Sequence, residues 1–216
     1  MYHFQYVTEK ELSSQKKNLI KIIQAVQHEV RKDFTFQFKF VGSVKRNMVT
    51  WDVGTNVGFD FDVDLVINEG GEISPKEMKT KIRLALNRVA PRYGYDNAED
   101  STRVLTINVK DKKNSKILHS CDIAIVNNYV DNDGSLKQKY IRFEKGHNSY
   151  VWQEQPKGYY SLTKKEQWVK SNGFWDEMRK LYLHKKNNNS ICTKHSRSIY
   201  AETIHQICQK YGYYKS

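Results

Sequence analysis

Phenylalanine occupies every second position from Phe34 to Phe40. Strict alternation with polar neighbours puts these rings on one face of an extended chain, so residues 34–41 are predicted to form a strand, ended by Gly42-Ser43. The stretch 59–67, FDFDVDLVI, also alternates but closes in a continuous apolar run, which predicts a strand with a buried end. Ahead of both, Leu12, Leu19, Ile22, Ile23, Val26 and Val30 recur at helical spacing behind a Thr8/Glu11 capping box, so residues 8–31 are predicted to be a helix. Ser74 as N-cap with Pro75 behind it opens a second helix to about Val89. Strands are expected at 102–109 and 117–127, and the DNDG turn at 131–134 makes 117–127 and 136–143 a hairpin. Beyond residue 160 the periodicity becomes helical. One helix begins at Ser161/Thr163 and runs through Trp168, a second covers about 173–185 and a third about 195–211, with KKNNNS at 185–190 as a solvated loop. The order predicts an α+β protein: a mixed β-sheet core flanked by helices over residues 1–145, and a small basic helical domain over 146–216.

Composition narrows the function classes. No apolar run approaches 18 residues, so no membrane span is expected, and the first residues do not have the pattern of a secretory leader. The three cysteines, Cys121, Cys192 and Cys208, are far apart and form no CxxC, which argues against a disulfide scaffold or a zinc ribbon and for a reducing, cytoplasmic location. Among 216 residues, 36 Lys+Arg face 24 Asp+Glu, a formal charge of +12. Such an excess suits an anionic partner: nucleic acid, a nucleoside triphosphate or an acidic surface. From residue 146 onward there are 12 basic and 5 acidic residues, a net of +7, so the helical tail is the expected electrostatic contact surface.

The strongest chemical signal lies in the second strand. Alternation places Asp60, Asp62 and Asp64 on one face and Phe61, Val63 and Leu65 on the other. Three like charges beside a buried apolar run are costly without a compensating cation, and a divalent metal held by carboxylate oxygens is the natural one. An EF-hand loop does not fit, because its sixth and twelfth positions counted from Asp60 are Leu65 and Gly71. A solvated edge strand would explain the acids but not the LVI run that follows them. Ahead of this strand stands Val41-Gly42-Ser43, where glycine permits close backbone approach and serine offers a hydroxyl to phosphate oxygens.

A strand, a Gly-Ser turn, a strand bearing Asp-x-Asp and a later strand with a third carboxylate resembles the nucleotidyltransferase superfamily of polymerase-β-like enzymes. The pattern is closest to its oligoadenylate-synthase-like and poly(A)-polymerase-like branch. The resemblance runs over roughly residues 10–145 and implies roles for particular residues. Gly42 and Ser43 would form the phosphate turn, Asp62 and Asp64 the metal-binding pair, and Asp122, in SCDIAI, the third catalytic and metal-binding carboxylate. Asp60 is an acid beyond that set, and the stretch between Gly-Ser and Asp-x-Asp, with Gly54 and Gly58, is longer than the family's. The resemblance implies transfer of a nucleoside monophosphate from a nucleoside triphosphate, ATP being the expected donor, to a hydroxyl or phosphate acceptor on RNA, a nucleotide or a protein. Mg2+ is the expected cofactor, with Mn2+ as an alternative. Lys45 and Arg46, and also Lys164 and Lys165, are candidates to neutralise the phosphates.

Two other readings compete. One is a non-catalytic nucleic-acid-binding module on the same scaffold. The other is a metal-independent ribonuclease using Arg179 and His184, although the same R-x4-H spacing recurs at Arg142 and His147. Trp152, Tyr159, Tyr160, Trp168 and Trp175 are candidates to stack a base, or else are core of the tail.

Overall fold

The computed structural model describes residues 3–52, 58–68, 73–113, 116–189 and 194–215. In chain order the elements are β1 (Phe4–Tyr6), α1 (Glu9–Val30), β2 (Phe36–Val41), the single turn α2 (Gly42–Lys45), β3 (Thr50–Asp52), β4 (Phe59–Ile67), α3 (Pro75–Val89), β5 (Glu99–Asp100), β6 (Val104–Asp111), β7 (Lys116–Val130), β8 (Leu136–Glu144), β9 (Ser149–Glu154), α4 (Lys157–Ser171), α5 (Trp175–Asn187) and α6 (Ser196–Lys210). The chain divides into two compact units. One is Tyr6–Val49 with Asn56–Glu154; the other is Met1–Gln5, Thr50–Thr55 and Gln155–Ser216. The architecture is α+β with a mixed sheet, as the alternation and periodicity imply.

The larger unit is built on a seven-stranded sheet in the order β2-β4-β7-β6-β5, with β8 pairing β7 further along and β9 pairing β8. Only β4 and β7 run parallel; every other pair is antiparallel. One face of this sheet is apolar. Phe36 of β2, Phe61, Val63 and Leu65 of β4, Leu105 and Ile107 of β6, and Ile123 and Ile125 of β7 pack into a single core. Helices α1 and α3 cover that face. The apolar stripe of α1, from Leu12 to Val30, is buried as its spacing requires, and so are Met78, Ile82, Ala85, Leu86 and Val89 of α3. Each helix begins at a complete capping box, Thr8/Glu11 and Ser74/Glu77, so both start where the sequence places their N-caps. At ~1.5–3 kcal/mol per large side chain, this burial dominates the stability of the unit.

One polar group interrupts the core. Lys79 of α3 is only 2% exposed. Its ammonium pairs with Asp100 of β5 at 2.7 Å and donates to the Ser101 carbonyl at 2.8 Å, while the Tyr150 hydroxyl donates to the other Asp100 oxygen at 2.7 Å. Burial pulls the Lys79 pKa down, and Asp100 opposes that shift. The ion pair fixes α3 to the short strand β5 and is sustained by its extra hydrogen bonds.

The smaller unit packs α4, α5 and α6 around Val169, Met178, Ile204, Ile207 and Cys208. Phe174 and Tyr211 stack with centroids 3.8 Å apart, and Trp168 lies against Phe174 and Tyr213. The ribbon of β1 and β3 belongs with these helices. The Asn187 side chain accepts from the Phe4 N–H at 2.7 Å and donates to the Phe4 carbonyl at 3.2 Å, Lys186 bonds the Thr50 hydroxyl, and the Lys186 ammonium lies over the Phe4 ring. Segments from the beginning of the chain thus complete a unit made mostly from its end. Among the described residues no helix is long and apolar enough to cross a membrane.

Several elements depart from the expected pattern. Helix α4 starts at Lys157, ahead of Ser161, with Pro156 in extended conformation as its N-cap. The sheet continues past residue 145: β9 runs beside β8 from the Glu144–Ser149 pair to the Lys139–Glu154 pair. Lys185, Lys186 and Asn187 are still helical, so the polar run there is the last turn of α5 as well as a loop. Cys192, Ser190 and Gly54 lie outside the described residues.

Gly58 enters β4 against the backbone of β7. A Cβ built there would stand 2.4 Å from the Leu118 carbonyl oxygen and 2.5 Å from that of Ile117. Both are backbone atoms of a sheet strand, so relief requires the strand itself to shift. Gly58→Ala is therefore expected to destabilise the protein by ~1–3 kcal/mol, read as a lower denaturant midpoint with an unchanged m-value.

Candidate active site

The second face of the sheet is polar, and strand register decides what meets there. In the parallel pairing of β4 with β7, Asp62 lies opposite Asp122 and Asp60 opposite Ser120. On the other side of β4, Lys39 of β2 lies opposite Asp64 and Val41 opposite Asp62. On the far side of β7, Thr106 of β6 lies opposite Asp122 and Asn108 opposite Ser120. Opposed residues share a face, so the four acids Asp60, Asp62, Asp64 and Asp122 occupy one patch, backed by the buried Phe61, Val63, Leu65, Cys121 and Ile123.

The Gly-Ser turn abuts this patch. β2 ends at Val41, and the chain turns sharply through α2 with Gly42 at φ +60°. A Cβ on Gly42 would stand 2.0 Å from Asp62 Oδ2, so both the backbone conformation and the space require glycine. Val44, buried, anchors the turn in the core. The Ser43 carbonyl accepts from the Met48 N–H at 2.9 Å and the Arg46 N–H at 3.2 Å, which closes the turn. Lys45 is exposed and Arg46 half-buried. Arg46 acts electrostatically on Asp62, and Lys45 on Asp64.

Burial and crowding oppose ionisation here. The Asp62 pKa is pushed up to about 6, first by burial and then by the charges of Asp122 and Asp60, with Arg46 pulling against them. Asp64 is raised by burial; Lys39, whose ammonium is 3.8 Å from Asp64 Oδ2, and a hydrogen bond from Gln138 moderate the shift. Asp122 is also raised by burial, and the Thr106 hydroxyl, donating to Asp122 Oδ1 at 2.6 Å, lowers it. Asp60 accepts from the Ser120 hydroxyl. Lys39, Thr106, Ser120 and Gln138 carry no motif in the sequence. Lys39 stands in the sequence only as a polar residue of the alternating FQFKF, Thr106 and Ser120 meet the acids through register, and Gln138 reaches Asp64 from β8.

The donor set fits a hard divalent cation. All the groups are carboxylates, and the raised Asp62 pKa marks negative charge that lacks sufficient compensation. Among the described residues no group of three or more His, Cys, Asp or Glu closes around a metal position. An open face of carboxylates suits Mg2+, which keeps several waters and takes other ligands from substrate phosphates rather than filling an all-protein cage.

The other candidates lie on α4, α5 and β9. Arg179 and His184 are five residues apart on α5, which separates them by about 140° around the helix axis, so they do not share a face. The His184 ring is contacted by the Asn188 amide. Trp168 is engaged with Phe174 and Tyr213, Trp175 lies under Lys170, and Tyr159 and Tyr160 meet edge to face. Trp152 on β9 lies under Lys139. In the helical unit four lysines are paired. Lys170 meets Glu166, Lys185 and Lys194 both meet Glu202, and Lys210 meets Glu177.

No protein-family model matches the sequence, and no curated protein matches it. Solved structures do. The Rhodothermus marinus CdnE c-UMP-AMP synthase with Apcpp and Upnpp superposes with a TM-score of 0.57 at 11% identity, over 89% of this chain and 70% of that one. The STING-associated CdnE c-di-GMP synthase from Capnocytophaga granulosa gives 0.57 at 16% identity, over 96% and 63%. Vibrio cholerae DncV with 3′-deoxy ATP gives 0.56 at 14% identity, over 93% and 52%. The chain thus spans between 52% and 70% of these three chains. It shares their fold, a mixed sheet with helical flanks.

The elevated Asp62 pKa has a measurable consequence. Between its unfolded value of about 3.9 and the folded value of about 6, the folded state binds more proton than the unfolded one, so this group's contribution to stability falls as pH rises through that window. Without divalent ions, Asp62→Asn should therefore stabilise the protein on the order of 2 kcal/mol near pH 7.5, and the gain should vanish below about pH 4. Parallel thermal melts of both proteins across that range report it. Gly42→Ala should do the reverse, lowering the melting temperature at every pH.

Proposed function

We propose that the protein is a metal-dependent nucleotidyltransferase that joins a nucleoside monophosphate, taken from a nucleoside triphosphate, to a hydroxyl of a second nucleotide. The observation that carries this reading is the meeting of Asp62 and Asp122 at one register position, with Gly42 of the Gly-Ser turn directly against Asp62. A triphosphate-binding turn and an acidic pair are useful together only if phosphate and cation share the site. The fold supports the class of reaction. Two structures sharing it are a c-UMP-AMP synthase and a c-di-GMP synthase, which supports a nucleotide as acceptor.

In this reading Asp62, Asp64 and Asp122 hold Mg2+ or Mn2+. A bound ion of this kind neutralises phosphate charge and makes the acceptor hydroxyl easier to deprotonate. The Ser43 hydroxyl orients the triphosphate, and Lys45 and Arg46 take up charge on the departing pyrophosphate. Asp122, with its pKa raised by burial, accepts the proton of the acceptor hydroxyl. The acceptor oxygen forms a bond to the α-phosphorus, the bond from that phosphorus to the bridging oxygen breaks, and pyrophosphate carries away the electron pair. The apolar backing of β4 and β7 keeps the three carboxylates from drifting apart as charge develops.

The ribonuclease reading finds no shared face for Arg179 and His184.

Incubation with each α-labelled triphosphate, Mg2+ or Mn2+, and either nucleotides or total RNA tests donor and acceptor together. A labelled, phosphatase-resistant dinucleotide is expected, formed from ATP as at least one donor. Asp62→Ala combined with Asp64→Ala should reduce incorporation by ~1,000-fold or more, because it removes the charge compensation of the transition state. Full activity in the double variant, or label appearing only in RNA, overturns the respective half of the reading.

A further inference from the structure

Each of the two outer acids on the patch is held by a hydroxyl from a neighbouring strand position: Asp60 by Ser120, and Asp122 by Thr106. The second pair is the more constrained. Thr106 lies opposite Asp122 in an antiparallel pairing, and its neighbours Leu105 and Ile107 are both fully buried on the opposite face. β6 cannot twist to withdraw the hydroxyl without exposing those two side chains. Threonine is also β-branched, so its χ1 is restricted and the hydroxyl is held in place. The bond to Asp122 Oδ1 is 2.6 Å, the short length of a charge-assisted hydrogen bond.

We propose that Thr106 is a positioning residue for Asp122. By occupying Oδ1 it stops the carboxylate from rotating about χ2, leaving Oδ2 as the oxygen for a divalent cation or the acceptor's proton. The proposal rests on the nucleotidyltransferase reading above only for the reaction that Asp122 serves; the effect on cation binding is a property of the patch itself. A hydroxyl that merely satisfied itself would contribute to stability and nothing else. A hydroxyl that fixes a ligand oxygen sets how well the cation is held.

The distinguishing experiment titrates Mn2+ alone into the full chain and follows the electron paramagnetic resonance signal of the free ion, for the wild type, Thr106→Val and Thr106→Ser. Thr106→Val keeps the shape and removes the donor; it should weaken Mn2+ binding about 10-fold or more, the usual effect of deleting a group that orients a metal ligand. Thr106→Ser keeps the donor and should stay within about threefold of the wild type. In nucleotide incorporation, the valine variant should lose kcat while KM for the triphosphate changes by less than about twofold. Should the valine variant fail to fold, Thr106→Ala carries the same expectations. Unchanged Mn2+ affinity on removal of the hydroxyl overturns the proposal, and so does a wild type that binds no Mn2+. A wild type that binds Mn2+ but transfers no nucleotide overturns the functional reading instead, while the affinity difference between valine and serine still tests Thr106.

Discussion

Four carboxylates on one face of a sheet repel one another, and the organisation around them serves to keep them there. The arrangement follows from a single pairing, the parallel contact of β4 with β7, which sets Asp62 opposite Asp122. A slip of one residue in that pairing would turn the Asp122 side chain into the hydrophobic core and bring Cys121 to the polar face. The register is held by the buried partners that alternate with the acids. Phe61, Val63 and Leu65 on β4 and Cys121, Ile123 and Ile125 on β7 are each at most 1% exposed. The core beneath α1 and α3 thus supplies the stability that the acidic face consumes. The same burial raises the pKa values of Asp62, Asp64 and Asp122.

Alternation and capping carry most of the larger unit. Thr8/Glu11 and Ser74/Glu77 are local signals, with donor and acceptor three residues apart, and both helices begin where those signals stand. The 59–67 strand and the hairpin around 131–134 follow from period-two patterning and a turn sequence. The presence of Asp60, Asp62 and Asp64 on one face is also a local fact. What could not be read is which strand lies beside them. Asp122 is 58 positions beyond Asp64 in the sequence, and nothing near it states that β7 will insert between β4 and β6. Thr106, Ser120 and Lys39 become significant only through their cross-strand partners, and Gln138 only by reaching Asp64 from a strand that does not pair with β4.

Two other features lie beyond local patterning. Lys79 sits on the apolar stripe of α3, where a charged residue reads as a break in the pattern. Its burial is tolerated only because Asp100, Ser101 and Tyr150 converge on it from distant parts of the chain. The β1–β3 ribbon is too short to announce itself, and its attachment to α5 through Asn187 and Lys186 joins residues more than a hundred positions apart. Both are cases in which tertiary partners override what composition suggests.

The net charge of +12 and the acidic patch are consistent with each other once location is considered. Four lysines of the tail meet Glu166, Glu177 and Glu202, and Glu202, between Lys185 and Lys194, has its pKa pulled down to about 2 by those two lysines. The cations within electrostatic reach of the patch are Lys39, Lys45 and Arg46, all on β2 or immediately after it. They approach β4 from one side, whereas Asp122 approaches from the other. A patch with bases along one flank and acids at its centre has a direction. In the proposed reaction phosphates would lie towards the Gly42–Arg46 turn, a divalent cation towards the acids, and the nucleophile towards Asp122. This asymmetry across three adjacent strands distinguishes the face from a general anion-binding surface and from a simple cation trap. It follows from the order β2-β4-β7 rather than from any one motif.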